Sequence, residues 1–221
     1  MSKKNNLYPK LRFKEFTKSW KKKKISSIAN SFDTDRVPVT AKDRVEGSTP
    51  YYGANGIQDY VQGFTHEGEF VLLAEDGAND LKNYPVHYVN RQIWVNNHAH
   101  VLQGDSQILN NIFLKYSLKT IDMKPHLVGG GRAKLNANAM MNINIFLSDL
   151  AEQEKIGNFF KKIDEMIQLR KTKVDKMKDI KTAYLSEMFP KKGEKYPKKR
   201  FKGFTKSWKK KKISSIANSF D

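Results

Sequence analysis

Cysteine is absent from the 221 residues, which excludes a disulfide framework and cysteine zinc sites and predicts a reducing, cytoplasmic setting. No run of about 18 apolar residues occurs, and Met1–Trp20 lacks the apolar centre of a signal peptide, so no membrane contact is expected. Acidic residues are scarce at both ends. Residues 1–24 carry ten Lys or Arg against Glu15 alone, and residues 190–221 carry twelve against Glu194 and Asp221. The segment between is nearly balanced, so the formal charge of +18 belongs to the ends. Lysine runs such as Lys21–Lys24 are read either as solvated tails or as contacts to phosphates or acidic partners that carry no sequence information.

Proline is missing and glycine occurs once between Asp149 and Phe189, which Pro190 closes. Steps of three and four through that stretch meet Ile156, Phe160, Ile163, Ile167, Arg170, Val174, Met177, Lys181, Tyr184 and Met188. Eight of these ten are apolar among Lys, Asp and Glu, which predicts a long amphipathic helix with a narrow coiled-coil seam. At 1.5 Å per residue it would run roughly 60 Å, whereas helices packed on one domain usually stop by about 20 residues. Another long helix is therefore expected on the seam, with the eight apolar positions as dimerisation residues. Arg170 and Lys181 interrupt it and predict a pairing that is specific and not tight. Asp149 and Glu152 have capping-box spacing at the start, with Ser148 as the alternative cap.

The two basic ends are one sequence written twice. Tyr8–Asp33 and Tyr196–Asp221 match at 24 of 26 positions, differing only at Leu11/Lys199 and Glu15/Gly203. The offset of 188 residues is far too long for a solenoid, so it predicts a two-unit parent of which this chain holds one unit and the opening of the next. The second copy is expected either to occupy the docking site of the first on a partner subunit or to be a disordered remnant.

The middle reads as mixed α and β. Ile25–Ala29 predicts a helical turn, Tyr51–Ile57 a turn-rich loop around Asn55-Gly56, and Glu69–Ala74 a buried strand running into the polar loop Glu75–Asp80. Val86–Asn90 and Gln92–Leu102 predict further strands, and Gln107–Leu118 a helix capped by Asp105 or Ser106, with Ile108, Ile112 and Tyr116 aligned. Gly129-Gly130-Gly131 predicts a hinge or close-approach loop, and Asn142–Leu147 an alternating strand. Little here supports catalysis. His98 and His100 have the spacing of two metal ligands on a strand but no third at a recognisable spacing, which favours hydrogen-bonded structural histidines. The triple glycine lacks the form of a phosphate-binding loop, and no nucleophile–histidine arrangement stands out. No metal or cofactor is expected.

Several stretches resemble one family. They are Y-P-K-L-R-F-K-E-F from Tyr8 with Trp20, Y-Y-G-A-N-G-I from Tyr51, N-H-A-H-V-L from Asn97 and G-G-G-R-A-K-L-N from Gly129. L-A-E-Q-E-K-I from Leu150, F-F-K-K-I-D-E-M-I from Phe159 and M-F-P from Met188 continue the series. In that order, over nearly the whole chain, they are similar to the specificity subunits of type I restriction–modification systems. Ser148 departs from the proline that often stands there. The resemblance implies a non-catalytic DNA reader whose recognition domains alternate with long helices that pair antiparallel and set a fixed distance between half-sites. Its implied partners are double-stranded DNA, methyltransferase subunits and restriction subunits.

The expected fold class is therefore α+β, a mixed α/β globular domain followed by one long helix that pairs as an antiparallel coiled coil. The expected division is a target-recognition domain over 1–148, a dimerisation helix over 149–189, and a basic linker with a partial repeat over 190–221. A chain with one seam is expected to homodimerise and read a symmetric bipartite site. Side chains able to reach base edges from loops are Arg36, Arg44, Tyr51, Tyr52, Asn55, Asn79, Lys82, Arg132 and Lys134. Two other readings stay open: a stand-alone DNA-cleaving or DNA-modifying enzyme, and a coiled-coil protein adaptor.

Overall fold

Phe70 to Leu73 are four apolar residues in a row, and in a strand their side chains must alternate between two faces. Both faces are covered here, and the fold is built around that strand. The computed structural model describes residues 8–129 and 133–217. The chain divides into two units, residues 1–162 and 163–221.

The first unit contains strands β1 (Lys21–Lys24), β2 (Ala29–Ser31), β3 (Glu46–Gly53), β4 (Gly56–Val61), β5 (His66–Ala74), β6 (Val86–Val95), β7 (Ala99–Gly104) and β8 (Asn144–Leu147). Helices α1 (Asn111–Lys119) and α2 (Ala137–Met141) precede β8, and α3 (Leu150–Glu187) follows it. Six strands form one sheet in the order β2-β7-β5-β6-β3-β4, and β1 pairs with β8 separately. The β3–β6 pair is parallel and the other pairs are antiparallel. The fold class is α+β. On one face of β5, Phe70 and Leu72 pack with Tyr52, Ile93, Val95 and Val101. On the other, Val71 and Leu73 pack with Leu102, with Phe113 and Leu114 of α1, and with Ile145 and Leu147 of β8. Each such side chain contributes roughly 1.5–3 kcal/mol of burial.

Several local expectations shift. Tyr51 and Tyr52 lie in a strand, since Tyr51–Ile57 forms a β3–β4 hairpin with Gly56 at φ 111° as its turn residue. A chain turn at Asn96–His98 divides Gln92–Leu102 between β6 and β7. The helix expected from Gln107 starts at Asn111, because Asn110 caps it by accepting the Phe113 amide at 2.9 Å. Asp105 instead anchors a preceding turn, accepting the amides of Ile108 and Leu109. The buried face of α1 is accordingly Phe113, Leu114 and Leu118, while Ile108 is exposed. Lys21–Lys24 pair with Leu147–Asn144 as an edge strand with all four side chains in solvent.

The root of α3 is held by polar side chains that are completely buried. The Glu152 amide donates to Asp149 Oδ1 at 3.2 Å, so Asp149 is the cap. The Glu152 carboxylate does not reach back to complete a capping box. It accepts two 2.7 Å bonds from Arg12 and one of 3.2 Å from the Trp20 indole, tying the first repeat copy to the helix. Gln153 accepts from the Asn110 amide at 3.0 Å and donates to the carbonyls of Ile108 and Ser148 at 2.9 Å each. Gly157 lies against α1, where a Cβ would stand 3.1 Å from the Phe113 nitrogen. Of the expected dimerisation residues, Ile156 packs on this domain's own core, which takes it out of a free seam. Phe160 leans on Tyr116 at 5.2 Å between ring centroids yet remains 42% exposed.

In the second unit the helix keeps its seam and the apolar residues beside it in solvent. Met166, Ile167, Val174, Met177 and Ile180 are each between 48% and 58% exposed. Beyond its end, Lys199 pairs with Glu187 at 2.7 Å, and Phe189 meets Trp208 edge-on at 5.7 Å. Phe201, Phe204 and Trp208 line an apolar pocket with Tyr184, Leu185 and Met188. Ile213–Ser215 repeat the 3-10 turn of Ile25–Ser27, but Lys209–Lys212 form no strand.

Candidate nucleic-acid interface

Three parts of the chain meet where β5 ends: the β3–β4 tip, the loop from Glu75 to Tyr84, and the pair Lys134 and Leu135. Asn55 staples the first two, donating to the Gly77 carbonyl and accepting the Asn79 amide, both at 2.9 Å. Asp80 turns the loop by accepting the amides of Lys82 and Asn83 at 2.8 and 2.9 Å, and Lys119 of α1 reaches Asn83 at 3.0 Å. The third segment joins through a backbone bridge between Asp76 and Lys134 and through the Leu135 amide, which donates to the Glu75 carbonyl at 2.6 Å.

Beneath this cluster lies a network of charged groups. Arg36 Nη1 donates to Glu75 Oε2 at 2.6 Å and to the Ala99 carbonyl at 2.9 Å, with Nη2 3.5 Å from Asp33. Lys134 Nζ is 2.9 Å from Glu75 Oε1. His100, fully buried, meets Asp33 Oδ2 at 2.5 Å through Nδ1 and the Leu135 carbonyl at 2.7 Å through Nε2. Burial pushes the Asp33 carboxyl up, but the hydrogen bond and charge of His100, the Val101 amide and Arg36 outweigh it and hold it below the usual carboxylate range. Glu75 follows the same pattern, with Arg36 and Lys134 overcoming the desolvation. Asp33, Glu75 and His100 are close enough to share a cation. Arg36 and Lys134 already stand on those carboxylates, so the network is charge-compensated from within the chain.

Asn55, Asn79, Lys82 and Lys134 thus come together, with Asn79 and Lys82 presenting exposed side chains and Lys134 about half exposed. Such a rim, with amide groups and ammonium ions on short stapled loops, suits contact with base edges and phosphates. Arg132 lies outside the described residues. Arg36 is a structural cation under the rim, its side chain only 14% exposed. Arg44 sits 4.1 Å over the Tyr51 ring and 3.3 Å from Asp59. Tyr51 is 1% exposed, with its hydroxyl bonded to the Val39 backbone, and Tyr52 packs inside the sheet core. Their burial removes both from the reach of a groove edge. Tyr51 and Tyr52 pair with Trp94 and Val95 of β6, which places them in the interior of the sheet.

Sequence reasoning missed Asp33, Glu75 and His100 as one unit, and Lys119 as a member of the rim. Asp33 closes the repeated segment and Glu75 opens the loop after the buried strand, but only the folded chain reveals that they share His100. The histidine pair proves to be two separate carboxylate contacts, His98 with Asp76 at 2.6 Å and His100 with Asp33.

The family described as type I restriction modification DNA specificity domain matches residues 17–178. A Haemophilus influenzae protein described as a type I restriction enzyme specificity subunit is 46% identical over 134 residues, which are 61% of this chain and 34% of that protein. Among solved structures, the S subunit of a type I restriction-modification system from M. genitalium aligns with a TM-score of 0.68 at 17% identity, over 83% of this chain and 49% of that one. A chain from a structural study of complex assembly and conformational transition in the type I R-M system aligns at 0.55 and 14% identity, over 76% of this chain and 44% of that one. At these identities the structural likeness is one of fold. The chain spans about a third of the length of the Haemophilus relative.

Proposed function

The chain belongs to the type I restriction–modification DNA specificity family, and from that premise we propose that it is a sequence-reading subunit that recognises one half-site per chain. Two copies join through the seam of α3 to read a symmetric, interrupted site. Methyltransferase subunits dock on the resulting pair, with restriction subunits joining them. The chain itself supplies recognition and no bond-breaking chemistry.

The observation that carries this reading is the 38-residue helix whose apolar seam lies in solvent from Ile167 to Met177. A stripe of that length left in water favours association, and an isologous pairing of identical seams is the simplest one that closes. The rim of Asn79, Lys82 and Lys134 is the surface assigned to DNA. The edge strand Lys21–Lys24 is assigned to phosphates.

The test is to map methylated positions in DNA from cells expressing this chain with its methyltransferase. An inverted-repeat bipartite motif is expected. A motif without two-fold symmetry would refute the homodimeric reader, and absence of sequence-selective DNA binding with methyltransferase present would refute the DNA-reading role in favour of a protein adaptor.

A further inference from the structure

The seam is polar at only two positions, Arg170 and Lys181, and those two discriminate among the ways two copies can pair. A parallel pairing in register would set Arg170 on Arg170 and Lys181 on Lys181, whereas antiparallel helices meet in layers that alternate the two kinds of seam position, so their allowed registers differ by whole heptads. We propose that two copies of α3 pair in one register, with Ile167 of one facing Met177 of the other, Arg170 facing Val174, Ile163 facing Lys181 and Phe160 facing Tyr184. The two-fold axis then passes level with Thr172. This rests on the homodimer reading above and deepens it.

Sliding the helices by one heptad in one direction sets Ile167 against Tyr184 and forces Arg170 against Lys181, two like charges in a desolvating seam. Sliding the other way sets Ile163 against Val174 and leaves Tyr184 and Met188 with no seam residue opposite. Only the proposed register pairs the free seam from Phe160 to Tyr184 in both copies and keeps its two cations on apolar partners, along which their aliphatic stems can lie while their heads reach water. It also accounts for two apolar residues beside the seam. Met166 comes to face Ile180 of the second copy, and both are more than half exposed in the single chain. In the shifted registers Met166 would instead meet Glu187 or Lys173. The outermost layer remains available as well, since Phe160 and Tyr184 keep 42% and 48% of their surface exposed.

The absence of native cysteine allows a direct test. In the Ile167→Cys/Met177→Cys variant the two sulfurs sit ten residues apart on one helix, about 15 Å by the helical rise, so they cannot bridge within a chain. Mild oxidation is expected to give a covalent dimer on a non-reducing gel. The Ile167→Cys/Tyr184→Cys and Ile163→Cys/Val174→Cys variants, which report the shifted registers, should cross-link at least ten times more slowly. Faster cross-linking by either of these pairs would overturn the register. Light scattering on the unmodified chain separates the two levels of the argument. A dimer in solution without the 167–177 bridge overturns the register alone, whereas a monomer at every concentration, with methyltransferase present, overturns the homodimer reading itself.

Discussion

Replacing the buried Gln153 with alanine tests how α3 is rooted. The residue is completely buried and makes three hydrogen bonds, one accepted from the Asn110 amide and two donated to the Ile108 and Ser148 carbonyls. Truncation orphans one donor and two acceptors where water has little room. Each orphaned group costs about 1–3 kcal/mol, so the three together are expected to cost at least about 3 kcal/mol. That is a large share of the roughly 5–15 kcal/mol by which domains are stable, and at about 2–4 °C per kcal/mol it lowers the melting temperature by roughly 10 °C. Gln153→Glu should be no better at neutral pH, because its carboxylate would face two carbonyl oxygens with no hydrogen to offer. Thermal unfolding followed by circular dichroism checks both variants. If Gln153→Ala melts within about 2 °C of the parent chain, water or relaxation replaces the amide and the argument fails.

Asp33 and Glu75 have folded-state pKa values lowered by their partners, so their contribution is present above the ordinary carboxylate value of about 4 and is lost as pH falls through the lowered values. The melting temperature should hold between neutrality and about pH 5, fall below about pH 4, and fall less steeply in Asp33→Asn; an identical acid profile for that variant would exclude the network as the cause. Gly157→Val pushes a branched side chain into a gap where even a Cβ lies 3.1 Å from the Phe113 nitrogen and 3.2 Å from Ile112. Overpacking of about 1–3 kcal/mol should appear as a lower urea midpoint, and an unchanged midpoint would show that α1 yields freely. Lys82→Ala should weaken binding to all DNA alike and reduce the salt slope by about 1, while Asn79→Ala should lose about 1–3 kcal/mol of preference for the cognate site; gel shifts across salt concentrations would refute these roles if the two patterns were exchanged.

The long helix was legible because its signal is local. A seam of threes and fours without proline persists for about nine turns, and no tertiary contact is needed to read it. The alternating β8 strand and the buried strand β5 were legible for the same reason. The loop cluster was half legible: Asn55, Asn79, Lys82 and Lys134 gather where β5 ends, whereas Tyr51, Tyr52, Arg36 and Arg44, named on the same grounds of residue type and loop context, are held by partners within the domain. Residue type says that an arginine can reach a base edge. It does not say that Glu75, 39 residues further along the chain, will hold Arg36 first.

The repeat draws the same boundary inside one molecule. From sequence alone come the seam, the basic ends, the family resemblance and the near-identity of Tyr8–Asp33 with Tyr196–Asp221. The two copies also share a 3-10 turn at Ile25–Ser27 and Ile213–Ser215, since that turn closes on its own carbonyl. Lys21–Lys24 become a strand and Lys209–Lys212 do not, although both are four lysines in a row. Arg12 and Trp20 lock onto a buried glutamate, while Phe201 and Trp208 settle on an apolar helix end. A strand needs a neighbour to receive its hydrogen bonds and a buried ion pair needs both members brought together; β8 and Glu152 supply these for the first copy, and only the folded chain decides where such partners stand.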